Sequence, residues 1–398
     1  MDNIKRCVYF NNYPYIRQTG ELMFCCKNSS QDHGYFGNIK ENTLREMYDN
    51  ALFLSYRDKM ASGEELPGCN ICYDSEKVSD TSFRIRAMSH IIQSSGLKEP
   101  PTDRVIRGLD LRVGNTCNLT CVMCSPIDSN SWSKIHTEFS KYVNNSSQKE
   151  IDWKHAQFAP EKLDWAEHES SWQNIFCSID DNVRLIYISG GEPFYLKNFE
   201  LYMSELVDRC SNAKFSINSN ATRLLPETLS DRFKKYDIDL RVSMDGIGQV
   251  DEFIRQGTVW EEKVEVIKQY NSMFSTLTFD ATLSSLNIKH LPELITWVFT
   301  NYPKNKIFLR PVVNRKALQI ELVPFEERVP VIEFLKSIYD NPNVKNIDQI
   351  LSILSRDTTR NGLDIMSRTI KFFNVKGDVS YEEIDRGLVD YANKHSSS

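Results

Sequence analysis

Residues 108–125 read GLDLRVGNTCNLTCVMCS. The first half, GLDLRV, is a short apolar run of the kind a buried strand needs. The second half follows at once and sets Cys117, Cys121 and Cys124 in the spacing C-x3-C-x2-C. Further strand-like runs lie at 184–188 (RLIYI), 213–218 (AKFSIN), 238–243 (IDLRVS), 277–283 (LTFDATL) and 306–313 (KIFLRPVV). Helical stretches separate them. One carries Trp132, Ile135, Phe139 and Val143 at helical spacing, and another runs from about Asp251 to Tyr270. Six strand–helix alternations predict an α/β fold with a parallel sheet. Six suit a partial (β/α)6 TIM-like barrel better than the eight of a closed one.

The rest of the chain bounds the answer. It has 398 residues, with 48 basic against 54 acidic side chains and a net charge of −6. Hydrophobic residues are 40% and charged residues 26%, an ordinary globular balance with ample length for a core. No apolar run is long enough to span a bilayer, and the start, MDNIKRCVYFNN, lacks the apolar core of a secretory signal. These features exclude a membrane protein, a secreted disulfide miniprotein and a disordered tail protein, and a cytoplasmic chain is expected. The acidic balance argues against bulk electrostatic binding of nucleic acid.

By pattern, residues 1–85 form an irregular cysteine-rich N-terminal module, 86–106 a helix and link, 107–317 the partial barrel with an insertion at 144–182, and 318–398 a helical C-terminal tail. The module holds one clear helix, from about Thr43 to Met60. Asn42 or Thr43 caps it, Glu46 completes a capping box, and Leu44, Met47, Leu52 and Leu54 supply its apolar side. Trp153, Trp165 and Trp172 read as packing within the insertion.

Ten cysteines need a reason: five precede residue 73 and three more lie at 117–124. In a reducing compartment such clusters point to metal rather than to disulfides. Cys177 and Cys210 are expected to be small buried hydrophobes. Thiolates hold soft metals and iron–sulfur clusters. Three cysteines ligate only three irons of a cubane and leave the fourth open, whereas structural zinc takes four closed ligands. The loop also leaves the C-terminal end of a parallel strand, where barrel enzymes place their chemistry. The second strand ends in YISGGEPFY, residues 187–195. There Gly190 and Gly191 permit close approach of the backbone, and Glu192, before Pro193, can accept from an ammonium group.

The cysteine spacing resembles the signature of the radical S-adenosylmethionine (radical SAM) enzymes, and Gly190–Pro193 resembles their GGEP motif. Met123 departs from the aromatic residue often found before the last cysteine and leaves the ligand set intact. The resemblance implies that Cys117, Cys121 and Cys124 hold a [4Fe–4S] cluster whose open iron is chelated by S-adenosylmethionine. It implies that Gly190, Gly191, Glu192 and Pro193 contact the methionine amino group. Asn218, Ser219, Asn220, Ser243, Asp245 and Arg255, at later strand ends, are then candidates for the ribose and carboxylate of the cofactor. Thr282, Asn287 and Arg310 could face the same mouth. Reductive cleavage would give a 5′-deoxyadenosyl radical that abstracts a substrate hydrogen atom.

The N-terminal arrangement Cys7-x12-Gly20-x4-Cys25, followed by the Cys69-x2-Cys72 pair, resembles half of a SPASM or twitch module. This implies one auxiliary [4Fe–4S] cluster on Cys7, Cys25, Cys69 and Cys72. Cys26 is the alternative to Cys25, though the glycine spacing favours Cys25, and a four-cysteine zinc site is the alternative to the cluster. The module precedes the barrel here, whereas it follows it in well-known members. The expected function is oxidative modification of a peptide or protein, with a one-electron donor such as flavodoxin or ferredoxin. A nucleotide, sugar or other small-molecule substrate is the alternative, and a non-enzymatic zinc- or cluster-stabilised binding protein a further one.

Overall fold

The fold is that of a computed structural model, which describes residues 6–28, 34–78, 81–99, 101–143, 162–226, 233–234, 236–312 and 315–396. Trp153 and much of the 144–182 insertion lie outside them. The chain divides into two compact units that interleave in sequence. One comprises residues 1–116, 162–217 and 228–239; the other comprises 117–161, 218–227 and 240–398.

The first unit is built on strands β1 (Tyr15–Ile16), β2 (Leu22–Met23), β3 (Gly108–Arg112), β4 (Leu185–Ser189) and most of β5 (Lys214–Ser219), in the order β2-β1-β3-β4-β5. β1 and β2 pair antiparallel; β1, β3, β4 and β5 run parallel. Sequence periodicity did not foresee that the N-terminal hairpin extends the sheet, with Tyr15 in register with Asp110. The hairpin belongs to the cysteine-rich module, whose core is a knot of rings. Phe10, Phe24, Phe36 and Phe53 are all buried, with centroid distances of 4.6 Å for Phe10–Phe24 and 5.1 Å for Phe36–Phe53.

The expected helix over 43–60 is two helices, Leu44–Tyr48 and Ala51–Ala61. Thr43 and Glu46 form the expected capping box on the first. Asn50 then accepts from the Leu52 and Phe53 backbone N–H groups and starts the second. The restart changes the phase, so Phe53 is buried and Leu52 is exposed. Trp165 and Trp172 pack as expected: both are buried, and Trp172 stacks on Tyr202 at 4.9 Å. Cys210 is buried, but Cys177 is exposed at the end of helix Glu169–Phe176, which corrects the expectation for it.

The second unit holds most of β6 (Ile238–Ser243), with β7 (Thr276–Leu283), β8 (Lys306–Pro311) and β9 (Val344–Lys345), in the order β6-β7-β8-β9; β7, β8 and β9 are parallel. The fold class is thus α/β with a mostly parallel, open sheet. The six expected strands are the observed β3 to β8, each within two residues of its expected ends. Strands β6, β7 and β8 have two unlike faces. Leu240, Val242, Phe279, Ala281, Ile307 and Leu309 are buried on one of them. The other face carries charge: Arg241 grips Asp280 through two bonds of 2.7 Å, and Arg310 Nε adds a third at 3.0 Å. These guanidinium groups outweigh the burial of Asp280 and hold its carboxyl below the usual range. The C-terminal region is helical, as expected, with helices Phe325–Ser337, Ile347–Leu354, Leu363–Lys376 and Tyr381–His395.

Candidate iron–sulfur and S-adenosylmethionine sites

In the second unit, the loop from Cys117 to Cys124 is held through many of its backbone polar groups. Ser131 Oγ donates to the Cys117 carbonyl (2.8 Å), Ser129 Oγ to Leu119 (2.6 Å) and Trp132 Nε1 to Cys121 (2.9 Å). Asn130 accepts from the Cys117 N–H at 3.1 Å. The Thr120 and Val122 N–H groups donate to the carbonyls of Gln256 (3.0 Å) and Ile254 (2.7 Å). Those two carbonyls are available because the helix expected over 251–270 is broken. It runs as Gln249–Ile254 and Trp260–Met273, with Gly257 at φ +96° in the gap. Carbonyls at a helix end have no partner inside the helix, and the cysteine loop satisfies these.

The sulfur atoms are also addressed. Asn220 Nδ2 points to Cys117 Sγ and Arg255 Nη1 to Cys121 Sγ, each at 3.8 Å. Cys121 and Cys124 share a hydrogen bond that lowers the Cys121 pKa and raises that of Cys124, and the positive charge of Arg255 further favours the Cys121 thiolate. Two N–H groups aimed at sulfur and a buried cation beside it are what a thiolate-bound iron–sulfur cluster needs, because such contacts balance its charge. The donor set therefore fits a cubane.

Behind the loop lies a buried ionic chain. Asp245 pairs with Arg255 Nε (2.8 Å), accepts from the Thr282 N–H (2.6 Å), and its carbonyl accepts from Asn287 Nδ2 (2.8 Å). Asp251 accepts from the Asp245 N–H (2.8 Å) and from Lys263 Nζ (2.5 Å). Burial raises the Asp245 pKa and lowers that of Lys263. Asp245 and Asn287 are thus engaged within the protein, and Arg255 is aimed at the cysteine loop. Ser243, at the end of β6, is half-buried. Ser219 accepts from the Ala221 N–H, and Asn220 also bonds Asn118 and Thr222. Asn218 Oδ1 is buried without a hydrogen-bond partner among the described residues, an acceptor suited to a ligand.

In the first unit, the Gly190–Pro193 turn closes on the backbone that precedes Cys117 in the chain. The Gly191 N–H donates to Gly114 (3.0 Å) and the Glu192 N–H to Thr116 (2.7 Å). A Cβ on Gly191 would stand 2.2 Å from the Thr116 carbonyl oxygen. Glu192 is buried and caps the short helix Pro193–Tyr195 by accepting from the Phe194 N–H. Gly191→Ala is expected to cost about 1–3 kcal/mol of stability, since the contact is with backbone. Chemical denaturation of the purified variant measures this.

Also in the first unit, Cys7, Cys25, Cys69 and Cys72 line one cavity, with Tyr9 and Arg84. Cys7 precedes the short helix Val8–Asn11, Cys25 follows β2, and Cys69 and Cys72 straddle the start of helix Asn70–Val78. Burial pushes the Cys7 thiol up to about 12 and the Cys69 thiol to about 11, and raises Cys25. Metal uptake there must therefore displace protons. Cys26 does not line the cavity; its electrostatic neighbours are Asp110, Arg112 and Lys27. Among the described residues, no three His, Cys, Asp or Glu side chains converge on a single metal ion.

Both cysteine sets fall inside segments that match known families. Residues 111–298 match the radical SAM superfamily model, and residues 7–73 match SPASM, an iron–sulfur cluster-binding domain. An uncharacterized protein of Methanocaldococcus jannaschii, MJ0907, is 27% identical over 259 residues, 63% of this chain and 72% of its own. Among solved structures, the match to anSMEcpe with bound AdoMet and a Cp18Cys peptide covers 63% of this chain and 65% of that one, at 13% identity and TM-score 0.38. Streptococcus suis SuiB bound to the precursor peptide SuiA matches 74% of this chain and 61% of its own, at 12% identity and TM-score 0.37. The chain spans only 44% of the S-adenosylmethionine-bound SuiB structure. The radical SAM match implies a [4Fe–4S] cluster with S-adenosylmethionine, and the SPASM match implies an auxiliary iron–sulfur cluster. The three-cysteine loop and the GGEP turn thus lie in a radical SAM domain over residues 111–298, and the four-thiol cavity in a SPASM module that precedes it over residues 7–73.

Proposed function

We propose that this enzyme abstracts a hydrogen atom from a peptide or protein side chain and completes a net oxidation of it. The observation that carries the reading is the closed set of Cys7, Cys25, Cys69 and Cys72 around one cavity in the SPASM segment. Four thiolates would leave a cluster there no open iron, so it would supply an electron acceptor rather than a substrate site. SPASM modules are common in peptide-modifying members of the family, which favours a peptide over a small molecule. Bound at the three-cysteine loop, the other cluster and S-adenosylmethionine supply a 5′-deoxyadenosyl radical.

The chain's own residues then have defined tasks. Cys117, Cys121 and Cys124 would hold three irons, Asn220 and Arg255 present N–H groups to two of those sulfurs, and Asp245 fixes Arg255. Gly190, Gly191, Glu192 and Pro193 bring backbone and carboxylate acceptors to the cofactor's ammonium group. Asn218, Ser219 and Ser243 offer acceptors and hydroxyls to its ribose and carboxylate. A one-electron donor of the flavodoxin or ferredoxin type is the natural partner.

Anaerobic incubation of the reconstituted enzyme with S-adenosylmethionine, titanium(III) citrate and a synthetic peptide library tests the reading. The expected result is 5′-deoxyadenosine together with peptides that have lost two hydrogens. No 5′-deoxyadenosine from protein with full iron and sulfide would sink the chemistry. 5′-Deoxyadenosine with unchanged peptides, and turnover of a nucleotide or sugar instead, would sink the substrate class. The double variant C69A/C72A separates the two sites. It is expected to keep forming 5′-deoxyadenosine while the oxidised peptide falls at least about tenfold, the scale of losing one specific electrostatic or redox contribution.

A further inference from the structure

The cavity lined by the four N-terminal thiols has a neighbour. A second cavity in the first unit, of about 410 Å³, shares Phe10 and Met60 with it as walls. Three arginines from separate stretches of chain line this second cavity: Arg6, Arg57 and Arg104. Arg57 lies on the helix Ala51–Ala61 and is only 7% exposed. Its Nε donates to the Phe10 carbonyl and its Nη2 to the Tyr48 carbonyl at 3.3 Å, and the guanidinium lies over the Tyr48 ring at 4.7 Å. Those contacts fix the plane of the group. Nη1 is left buried without a hydrogen-bond partner. A buried donor without an acceptor is costly, so an acceptor brought into the cavity gains by meeting it.

The other two cations are less tied down. Among the described residues the Arg6 side chain forms no hydrogen bond or ion pair; only its carbonyl is engaged, by Arg84 Nη1 at 2.7 Å. Arg104 Nη1 pairs with Asp49 at 3.0 Å, and Asp58 lines the cavity as well. Three guanidinium groups against these two carboxylates leave one positive charge in excess. Burial lowers the Arg57 pKa against the pull of Tyr48 and Asp49, and an anion at Nη1 would oppose that effect. A carboxylate fits better than a phosphate on two grounds. Its single charge matches the excess, whereas a phosphate monoester carries about −1.5 to −2. Phe10, Leu54 and Met60 also give the cavity an apolar wall for a carbon stem. Guanidinium forks match the two oxygens of a carboxylate.

We propose that the cavity of Arg6, Arg57 and Arg104 docks a carboxylate of the peptide substrate, from an acidic side chain or the C-terminus, beside the auxiliary cysteine site. The inference deepens the reading of this chain as a peptide-oxidising enzyme and rests on it. Because Phe10 and Met60 belong to both cavities, a docked peptide lies against the walls of the proposed electron acceptor. The step is binding alone, with no bond formed or broken.

The test is selection of peptides by the full chain, reconstituted with iron and sulfide and given no reductant. The probe is a random synthetic peptide library, made in parallel with glutamine and asparagine in place of glutamate and aspartate, each in free-acid and C-terminally amidated form. Mass spectrometry identifies the retained peptides. Wild type is expected to retain peptides with a carboxylate at least about tenfold over the neutral amidated ones, the scale of one charge-assisted hydrogen bond. Preference kept by acidic amides assigns the site to a side chain, and preference kept by neutral free acids assigns it to the C-terminus. R57M and R6M are each expected to lower the preference about tenfold. If R57M does not fold, R6M decides, because the Arg6 side chain ties down nothing else among the described residues. A folded R6M with the wild-type preference overturns the proposal, as does a wild type that retains neutral amides equally well. With S-adenosylmethionine and reductant added, oxidised peptides that show no preference for a carboxylate would overturn this site and leave the proposed function standing. Carboxylate-selective binding that R6M loses, with 5′-deoxyadenosine formed and no peptide oxidised, would overturn the proposed function and leave the carboxylate site standing.

Discussion

Replacing Cys121 with alanine is expected to abolish 5′-deoxyadenosine formation and to remove about four of about eight irons per chain, the content of two cubanes. Cys121 is the most completely enclosed of the three loop thiols by contact. Its carbonyl is held by Trp132, its Sγ faces Arg255 Nη1, and it shares a hydrogen bond with Cys124. Removing the thiol leaves two ligands, too few to retain a cubane against loss of iron. It also leaves the Arg255 guanidinium facing no sulfur. The auxiliary site is untouched in sequence, so the remaining iron should resist S-adenosylmethionine and show no spectral response to it. Iron and sulfide analysis with electron paramagnetic resonance checks both halves. A C121A protein that keeps all its iron and still makes 5′-deoxyadenosine would show that the three-cysteine loop is not where the chemistry happens.

The residues that carry this prediction were the easiest to find in the sequence, and the reason is local. Three thiols within eight residues, directly after an apolar run, need no knowledge of the fold to be read as a ligand set. The strands were legible for the same reason: Ile238, Leu240 and Val242 alternate with Asp239, Arg241 and Ser243, and the structure buries the first set. The capping box at Thr43 and Glu46 spans only four residues and was equally plain.

What escaped depends on distance along the chain. The break after Ile254 has a local cue in Gly257, but its purpose does not. The freed carbonyls of Ile254 and Gln256 are taken by Val122 and Thr120, over 130 residues away. A helical pattern that continues on both sides of the gap hides it. Arg315 is a still clearer case, an arginine 191 residues from the Cys124 carbonyl it holds. The same limit explains the N-terminal module. Its cysteines were legible by spacing, but the parallel pairing of Tyr15 with Asp110 lies in no local period. Cys25 and Cys26 are adjacent in sequence, and only the fold turns the first toward Cys7, Cys69 and Cys72. Even the assignment of Arg255 needed the fold. Its motif resemblance suggested a partner for the cofactor carboxylate, while the structure reveals two acids that hold it and the thiol it faces.

That ionic chain supports the second large effect. Lys263 and Asp251 have fully buried side chains 2.5 Å apart, and Asp251 also accepts from the Asp245 N–H. Lys263→Met keeps most of the length of the side chain and removes its charge. Among the described residues, Asp251 would then be left buried with only Arg255, 3.9 Å away, as a counter-charge. Removing one member of a buried pair costs about 3–5 kcal/mol, because the remaining charge has lost its compensation. The expected cost of K263M is in that range, read as a fall in the denaturant midpoint at unchanged slope. Burial already lowers the pKa of Lys263, so part of what its ion pair gains is consumed in keeping the ammonium charged. For that reason K263M/D251N, which removes both charges, should recover part of the loss, and a double-mutant cycle gives the coupling between them. The recovery should not extend to the cluster. Asp251 fixes the Asp245 backbone, Asp245 fixes Arg255, and Arg255 faces Cys121, so the double variant is expected to fold and yet hold its S-adenosylmethionine-responsive cluster less tightly. Faster release of iron to a chelator from K263M/D251N than from wild type, at matched folded fraction, is the expected result. Equal rates would mean that the chain of charges stabilises the unit without acting on the cysteine loop.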